Sequence, residues 1–250
     1  MTGVQTCALP ILIDAVFPNL NDYFENIDTM TNRAILTPKN DYVDDINSLL
    51  IEKFPGDAIT YYSFDETIDK NEQTIQEDFL NSFTPSGFPP HQLVLKENCP
   101  IILLRNINPS EGLCNGTRLI CCRFSPNLID AQIVSGHYRG KRVFLPRIPF
   151  IPIEGEKNGF PFKRTQFPVK LSFAMTINKA QGQTLDYIGI YLPKPIFSHG
   201  QLYVALSRAK TSQSIKMLIR PTYNDLLDYV NTKNIVYHDL LNLRRSLSNE

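Results

Sequence analysis

A chain of 250 residues, 42% of them hydrophobic, is long enough to bury a core and has the composition of a globular protein. It has no apolar run of about 18 residues and no signal-peptide layout, so we expect no membrane partner and an intracellular location, nuclear if the source is eukaryotic. Five cysteines without a Cys-x-x-Cys pair argue against a disulfide framework and against a zinc site, and no metal ligands are predicted.

The net charge of zero hides an uneven distribution of charge along the chain. Residues 1–98 contain 5 Lys and Arg against 16 Asp and Glu, a net charge of −11, whereas residues 99–250 contain 20 against 9, a net charge of +11. The second part has the charge that favours contact with phosphate groups. Ordinary solvated faces would also account for this bias.

Residues 1–11 read MTGVQTCALPI, which resembles a translated sequencing adapter. We therefore leave them out of the fold prediction and expect the product of a truncated gene.

The next segments predict strand, helix and strand. Residues 34–37 form a short apolar run ended by Pro38, and helical spacing of apolar residues begins at Asp41. Pro55 and Gly56 end this helix before a second strand-like run at residues 58–64. This order predicts a β-α-β unit of a parallel sheet.

From Gln92 to about Pro152, short β-type runs follow one another with turn residues between them. Their close spacing leaves no room for crossover helices and predicts a small antiparallel barrel. From Val169 the sequence returns to an α/β pattern, with strands at residues 169–175, 187–192 and 215–219 and a helix at about 199–209. The barrel is therefore predicted as an insertion within one α/β domain, and the tail from Thr222 as an amphipathic helix.

Two segments imitate motifs of ATP sites. Residues 136–142 (GHYRGKR) have three residues between the glycines where a phosphate loop needs four, and Arg142 stands where a Ser or Thr must hold magnesium. The strand-like run 58–64 followed by Asp65 and Glu66 resembles an apolar strand with an acidic pair, but no phosphate loop precedes it. We assign neither segment to ATP chemistry.

The strongest signal lies near the C-terminus, in residues 166–184 (QFPVKLSFAMTINKAQGQT) and 197–208 (FSHGQLYVALSR). These strings closely resemble helicase motifs V and VI of the Pif-type, Helitron-encoded branch of helicase superfamily one. The resemblance extends from about Ala34 to Arg220. Its other parts are residues 34–40 (AILTPKN), similar to the region of motif IV, and residues 90–96 (PHQLVLK), 103–106 (LLRN) and 112–119 (GLCNGTRL), similar to the inserted barrel of that family.

The resemblance implies an α/β fold containing the second RecA-like, P-loop-NTPase-type motor domain of a helicase. Residues 31–88 and 163–221 would form this domain, and residues 89–162 the inserted β-barrel of Src-homology-three type. Residues 12–30 would link to a missing first motor domain, and residues 222–250 would form a helical tail. The intact enzyme would move 5′ to 3′ on single-stranded DNA and unwind duplexes with ATP and Mg²⁺. The isolated chain would bind neither cofactor and would not hydrolyse ATP.

Arg208 is the predicted catalytic residue. A motor that cleaves ATP between two domains needs a cation supplied across the cleft, and arginine offers a rigid, always-charged fork. Such a residue is expected to make few contacts within its own domain. A surface arginine paired with a carboxylate is the alternative.

The remaining predicted site residues are polar or basic. A glycine between two amides, at Gln181-Gly182-Gln183, allows close approach of a phosphate or a DNA strand. Many relatives of the motif have His where Asn178 stands. The alternative for the residues around Gly182 is a polar loop with a glycine turn. The alternative for the basic residues of the barrel is that they are charged strand edges that prevent aggregation. The predicted nucleotide-binding residues are Gly182, Gln183 and Arg208, and the predicted DNA-binding residues are Thr37, Thr176, Asn178, Lys179, Gln181, Arg139, Lys141 and Arg142.

Two rival interpretations belong to other classes. The chain could be a non-catalytic module that binds single-stranded nucleic acid, or an inactive transposon relic. An upstream reading frame that ends in a first motor domain would favour a broken helicase gene over the binding module, whereas a transposon relic would differ only in expression.

Overall fold

The computed structural model describes residues 8–25, 30–68, 77–152, 162–220 and Ile235. The chain divides into two units: unit 1 comprises Met1–Asn19, Asn32–Ile46 and Ala174–Glu250, and unit 2 comprises Leu20–Thr31 and Asn47–Phe173. In chain order the described elements are α1 (Ala8–Val16), α2 (Leu20–Glu25), β1 (Arg33–Thr37), α3 (Asn40–Lys53), β2 (Ile59–Tyr62), β3 (Phe64–Thr67), α4 (Glu77–Ser82), β4 (Gln92–Leu95), β5 (Pro100–Leu103), β6 (Arg118–Ser125), β7 (Leu128–Ile133), β8 (Arg142–Pro146), β9 (Ile148–Phe150), β10 (Phe162–Gln166), β11 (Val169–Leu171), β12 (Ala174–Thr176), β13 (Tyr187–Leu192), α5 (Gln201–Leu206) and β14 (Ile215–Ile219), with 3-10 turns at Pro109–Glu111 and Ser212–Ser214.

Unit 1 is built on a parallel sheet with the strand order β12-β1-β13-β14. Strands β1 and β13 are buried along almost their whole length, as expected of parallel strands covered on both faces. On one face, Leu36, Ile188 and Ile190 belong to a core cluster that includes Ala205 of α5. The predicted strands at residues 187–192 and 215–219 are confirmed.

Helix α1 covers the other face of this sheet. Leu12, Ile13 and Val16 are buried, and a Cβ at Gly189 of β13 would lie 2.7 Å from Val16 Cγ2. Only glycine lets the helix approach this closely. Residues 12–30 are therefore not a simple linker, since they include most of α1 and all of α2. Residues 8–11 of the supposed adapter lie in the first turn of α1, and residues 1–7 lie outside the described residues.

Unit 2 consists of antiparallel sheets. The largest has the order β11-β5-β6-β7-β8, a second has the order β3-β10-β9, and β2 pairs with β4. The antiparallel pattern predicted for residues 92 to about 152 is confirmed for the strands in that range, β4 to β9. Phe162, the last residue of the predicted insertion 89–162, begins β10. Of the predicted tail, only Ile235 is among the described residues.

The predicted parallel β-α-β unit is wrong. The run at residues 58–64 falls in β2 and β3, and both strands pair antiparallel with strands of unit 2. The physical reason is visible in the burial, because β2 is exposed at three of its four positions, unlike a parallel strand buried on both faces.

The predicted domain boundaries also differ from the division of the structure. The predicted strand 169–175 is split, with β11 pairing to β5 in unit 2 and β12 pairing to β1 in unit 1. Unit 2 therefore extends from Asn47 to Phe173, beyond the predicted insertion at both ends.

A buried ion pair links the elements of unit 2. Arg164 of β10 and Asp65 of β3 are direct cross-strand partners, and both side chains are 0% exposed. The guanidinium donates to both carboxylate oxygens, with Nη2 to Oδ2 at 2.6 Å and Nε to Oδ1 at 3.0 Å. It also donates to the carbonyl oxygens of Leu80 and Pro89. Asp65 is thus a structural residue, in agreement with its exclusion from ATP chemistry.

Replacing Arg164 with Met should lower the free energy of unfolding by about 3–5 kcal/mol, because the buried Asp65 carboxylate loses its compensating charge. The free energy would be measured by urea denaturation. Lys163→Met is the matched control, since its pair with Glu66 lies at the surface, and its effect should be within about 1 kcal/mol. The double variant Arg164→Met with Asp65→Leu should be more stable than Arg164→Met alone. Equal effects at positions 163 and 164 would contradict a buried-charge role for Arg164.

Candidate functional site

Arg208, the predicted catalytic residue, is half-buried immediately after α5 in unit 1. Its Nε donates to Val204 O at 2.9 Å, Nη1 to Gln183 O at 3.0 Å and Nη2 to Ser207 Oγ at 3.0 Å. A longer contact joins Nη1 to Ala180 O at 3.5 Å. Arg208 therefore connects α5 to the loop after β12, and the expectation of few contacts within its own domain is wrong.

The guanidinium retains some donor capacity despite these contacts. It carries five N–H groups, and four contacts are made with described residues. A further anionic oxygen could therefore be bound without breaking the contacts that fix the side chain. This arrangement suits a phosphate group, which arginine recognises through its planar fork.

Gly182 and Gln183 lie in the loop that Arg208 contacts. Gly182 has φ +80°, a conformation that favours glycine, and no atom of the described residues, its two chain neighbours apart, lies within 4 Å of where its Cβ would stand. Gln183 donates from Nε2 to Lys179 O at 3.1 Å, and its carbonyl accepts from Arg208. The structure thus brings the three predicted nucleotide-binding residues together in unit 1.

Three of the predicted DNA-binding residues are exposed on the same loop. These are Asn178, Lys179 and Gln181, and the Gln181 N–H donates to Asn178 O at 3.2 Å in a turn. Thr176 ends β12, where its Oγ1 accepts from the Lys179 N–H at 3.4 Å. Loop residues at the carboxyl end of a parallel strand are well placed for a ligand.

Thr37 differs from the other predicted DNA-binding residues because it is fully buried. It lies opposite Thr176 in the β1–β12 pair, and among the described residues its hydroxyl has no hydrogen-bond partner. Thr37 therefore does not share the exposed surface of Asn178, Lys179 and Gln181.

The other predicted DNA-binding residues, Arg139, Lys141 and Arg142, form a basic cluster in unit 2, and two of these cations are already paired. Lys141 Nζ lies 2.9 Å from Glu111 Oε1, and Arg142 forms a bidentate pair with Asp130, with Nε to Oδ1 at 3.0 Å. The hydrogen bonds that Arg142 donates to Asp130 raise the pKa of Arg142. Arg139 is exposed in the turn before β8. The cluster therefore offers less net positive charge than its sequence suggests.

A neighbouring cation, Arg147, turns inward in place of joining this cluster. Its Nη1 donates to Tyr62 O at 2.8 Å and to Gln166 Oε1 at 2.9 Å, and its guanidinium lies 4.7 Å from the centroid of the Phe167 ring. Burial lowers the pKa of Arg147. The inward orientation of Arg147 could not be predicted from the sequence, because only the strand pairing brings Tyr62 and Gln166 near it.

Arg118 also turns out to be structural. It is buried, and it donates from Nη1 to Thr31 O at 2.6 Å and from Nη2 to Ser172 O at 3.1 Å. Burial lowers its pKa to about 10. Its conformation is thus fixed by backbone carbonyls of two distant segments.

Neither a metal cluster nor a membrane helix is found in the part of the chain that the structure describes. No group of three or more His, Cys, Asp or Glu side chains there is arranged to hold a metal ion. Likewise, none of the described helices is long and apolar enough to cross a membrane.

Comparison with known proteins gives consistent matches. The family model for the 2B domain of DNA helicase Pif1 matches residues 78–124, which lie in unit 2. The ATP-dependent DNA helicase PIF1 of Xenopus laevis is 29% identical over 184 residues, covering 74% of this chain and 27% of that protein. The protein of the same name from Rattus norvegicus is 32% identical over 183 residues, covering 69% of this chain and 25% of that protein.

A solved structure supports the fold. The Pif1 helicase from Bacteroides in complex with ADP-AlF3 and ssDNA has a TM-score of 0.62 and 21% sequence identity, covering 96% of this chain and 54% of that chain. This likeness shows the RecA-like helicase fold. The chain spans about a quarter of the length of the two vertebrate relatives and about half of the Bacteroides chain. From the 2B match, the curated relatives and this shared fold, the chain belongs to the Pif1-type family of ATP-dependent DNA helicases and corresponds to part of the length of its members.

Proposed function

We propose that this chain supplies the second motor domain of an ATP-dependent 5′ to 3′ DNA helicase, with Arg208 as its arginine finger. The observation that carries the proposal is the contact from Arg208 Nη1 to Gln183 O at 3.0 Å, which ties the motif VI arginine to the motif V loop. A change at the nucleotide sensed by Arg208 would be passed directly to the loop that holds Asn178, Lys179 and Gln181. A helicase motor needs such a connection between ATP hydrolysis and the residues that contact DNA.

The donors at this site fit a phosphate and do not fit a metal ion. Arg208 provides N–H groups, and among the described residues Gly182 leaves open space beside the loop. Mg²⁺ requires oxygen ligands, usually carboxylates and phosphates. The sequence has no G-x-x-x-x-G-K-[S/T] pattern. We therefore propose that another motor domain holds Mg²⁺ and the rest of ATP, and that this chain contributes the cation across the cleft.

Unit 2 would provide a separate strand-binding element. We propose that its five-stranded antiparallel sheet corresponds to the inserted barrel of Src-homology-three type, and that it acts on single-stranded DNA together with the motif V loop. The match of residues 78–124 to a 2B domain supports this assignment. The rival functions, a binding module without a motor and a transposon relic, predict the same strand contacts but no ATP-dependent role for Arg208.

The chain alone should show no ATP hydrolysis above background, with or without single-stranded DNA, because its sequence has no phosphate-loop pattern and its described residues include no cluster that could hold a metal ion. Release of phosphate would be measured on protein freed of contaminating ATPases. DNA-stimulated turnover that remained after this purification would contradict the proposed division of the site.

Replacing Lys179 with Ala should weaken single-stranded DNA binding and reduce the slope of log affinity against log salt by about 0.7, the value for one lost phosphate contact. Fluorescence anisotropy at several salt concentrations gives this slope. Lys210→Ala is the matched control in unit 1, because that cation is paired with Asp186 at the surface. If the salt slope changed for Lys210→Ala and not for Lys179→Ala, the DNA strand would not contact Lys179.

Replacing Arg208 with Ala should reduce ATP hydrolysis by roughly a thousandfold in an enzyme reassembled by joining this chain to the first motor domain of a close relative. Single-stranded DNA affinity should stay within a few-fold of the parent. Lys should rescue little, because an ammonium cannot reproduce the fork that reaches Gln183 and Ser207 together.

The lost backbone contacts of Arg208→Ala should also lower the free energy of unfolding by about 1 kcal/mol. Urea denaturation would be measured beside phosphate release. Hydrolysis that persisted while DNA affinity collapsed would assign Arg208 to the DNA surface and reject the arginine-finger role.

A further inference from the structure

One segment of unit 2 alternates between anchored and exposed side chains. Counted as whole residues, Tyr61, Ser63 and Asp65 are 6–8% exposed, whereas Tyr62 is 58% and Phe64 is 62% exposed. Successive side chains of an extended chain point to opposite sides, so Tyr62 and Phe64 project to the solvent side together. Two large exposed aromatic rings so close in sequence need an explanation, because folding alone does not require them.

The inward residues of this segment are held by buried polar contacts. Asp65 is clamped by Arg164, and Ser63 Oγ donates to Asp65 Oδ1 at 2.7 Å. Arg147 donates to Tyr62 O at 2.8 Å, and Gln166 Nε2 donates to Tyr61 O at 3.2 Å. The backbone that carries the two exposed rings is thus fixed from within, as expected of a binding surface formed before its ligand arrives.

His91 stands beside this segment with a defined ring orientation. Its centroid lies 5.6 Å from that of Tyr62, and its Nδ1 is 2.8 Å from Ser63 Oγ. The single hydroxyl hydrogen of Ser63 is donated to Asp65, so Ser63 must accept a hydrogen from His91 Nδ1–H. This leaves Nε2 as the ring atom available to a ligand, and no described residue forms a hydrogen bond with it.

The charges around the rings permit a polyanion. Glu66 and Asp65 belong to the acidic part of the sequence, but both pair with β10, through Lys163 and Arg164. With Arg147 added, three cations face two carboxylates in this region. Because these described partners compensate both carboxylates, the repulsion that the sequence alone suggests is reduced.

We propose that Tyr62 and Phe64, with the His91 imidazole beside Tyr62, form a platform on which bases of a single DNA strand stack. The proposal rests on the proposed strand-binding function of unit 2 and assigns it a contact site. Cα atoms two residues apart in an extended chain are separated by roughly 6.6 Å, so the two rings can engage separate bases or enclose one. Every base has an apolar face, so binding here is tolerant of sequence, and His91 Nε2 adds an acceptor for a base N–H group.

The test compares an oligothymidylate of about 16 nucleotides with an abasic strand of the same length, using the full chain and fluorescence anisotropy. Tyr62→Ala and Phe64→Ala should each weaken binding to oligothymidylate by roughly fivefold or more, since one stacked base contributes about 1 kcal/mol or more. Both variants should bind the abasic strand as the parent does. Tyr62→Phe should retain parental affinity because it keeps the ring.

Three further variants separate stacking from folding. Phe64→Leu keeps an apolar side chain but removes the ring, and should lose affinity for oligothymidylate as Phe64→Ala does. His91→Asn keeps a donor to Ser63 and removes Nε2, so it should fold normally and lose affinity for oligothymidylate alone. Phe79→Ala, at a ring 49% exposed on α4 of the same unit, should change neither affinity.

The outcomes are distinguishable. If the parent binds oligothymidylate and the Tyr62 and Phe64 variants bind it equally well, the platform is rejected and the rings serve a protein contact, while the proposed strand binding stands. Equal losses on both strands would also reject stacking, because they would indicate a contact to phosphate or a folding defect. A parent chain that binds neither strand would reject both the platform and the strand-binding function.

Discussion

The buried pair of Arg164 and Asp65 is the constraint on which the rest of unit 2 depends. Removing two charges from water is costly, and the cost is offset only when geometry and additional hydrogen bonds are favourable. Here the guanidinium also binds the carbonyls of Leu80 and Pro89, and the carboxylate also accepts from Ser63. The pair therefore fixes β3 against β10 and fixes the chain before β4. A shift of β3 by one residue against β10 would turn Asp65 to the solvent, leave Arg164 buried without its partner and bury Phe64, so the pair also specifies which side chains of β3 face the solvent.

Arg208 has a comparable position in unit 1, but its contacts are of another kind. It binds backbone carbonyls at the end of α5 and in the loop after β12, and it is only half-buried. Side chains held by carbonyl oxygens keep their full positive charge, because no carboxylate neutralises them. The same side chain can thus be fixed in place and still attract a phosphate. A buried pair such as Arg164–Asp65 could not do this, since its charge is already compensated.

The sequence predicted those elements whose burial is continuous or whose motif is long. Strands β13 and β14 were predicted with their observed bounds: β13 is buried at five of its six positions, and β14 has one charged residue, Lys216, among its five. Pairing was harder to predict, since the run 58–64 is compatible with either a parallel or an antiparallel partner until its burial is known. Helix α1 was missed because residues 8–11 were excluded, which removed the start of its apolar pattern. Thr37 was assigned to DNA on its motif alone, and its burial could not be read from a strand of five residues.

Charge was the least reliable guide to the binding surfaces, for a physical reason. Linear net charge counts every ionised group equally, whereas a strand of DNA responds to groups that remain uncompensated after folding. In the basic part of the chain, Lys141 and Arg142 are paired with Glu111 and Asp130. In the acidic part, Asp65 and Glu66 are paired with cations that β10 brings across from the basic part. Strand pairing thus brings together compensating charges from regions that are far apart in sequence. A surface for a polyanion must therefore be located from the register of the sheets.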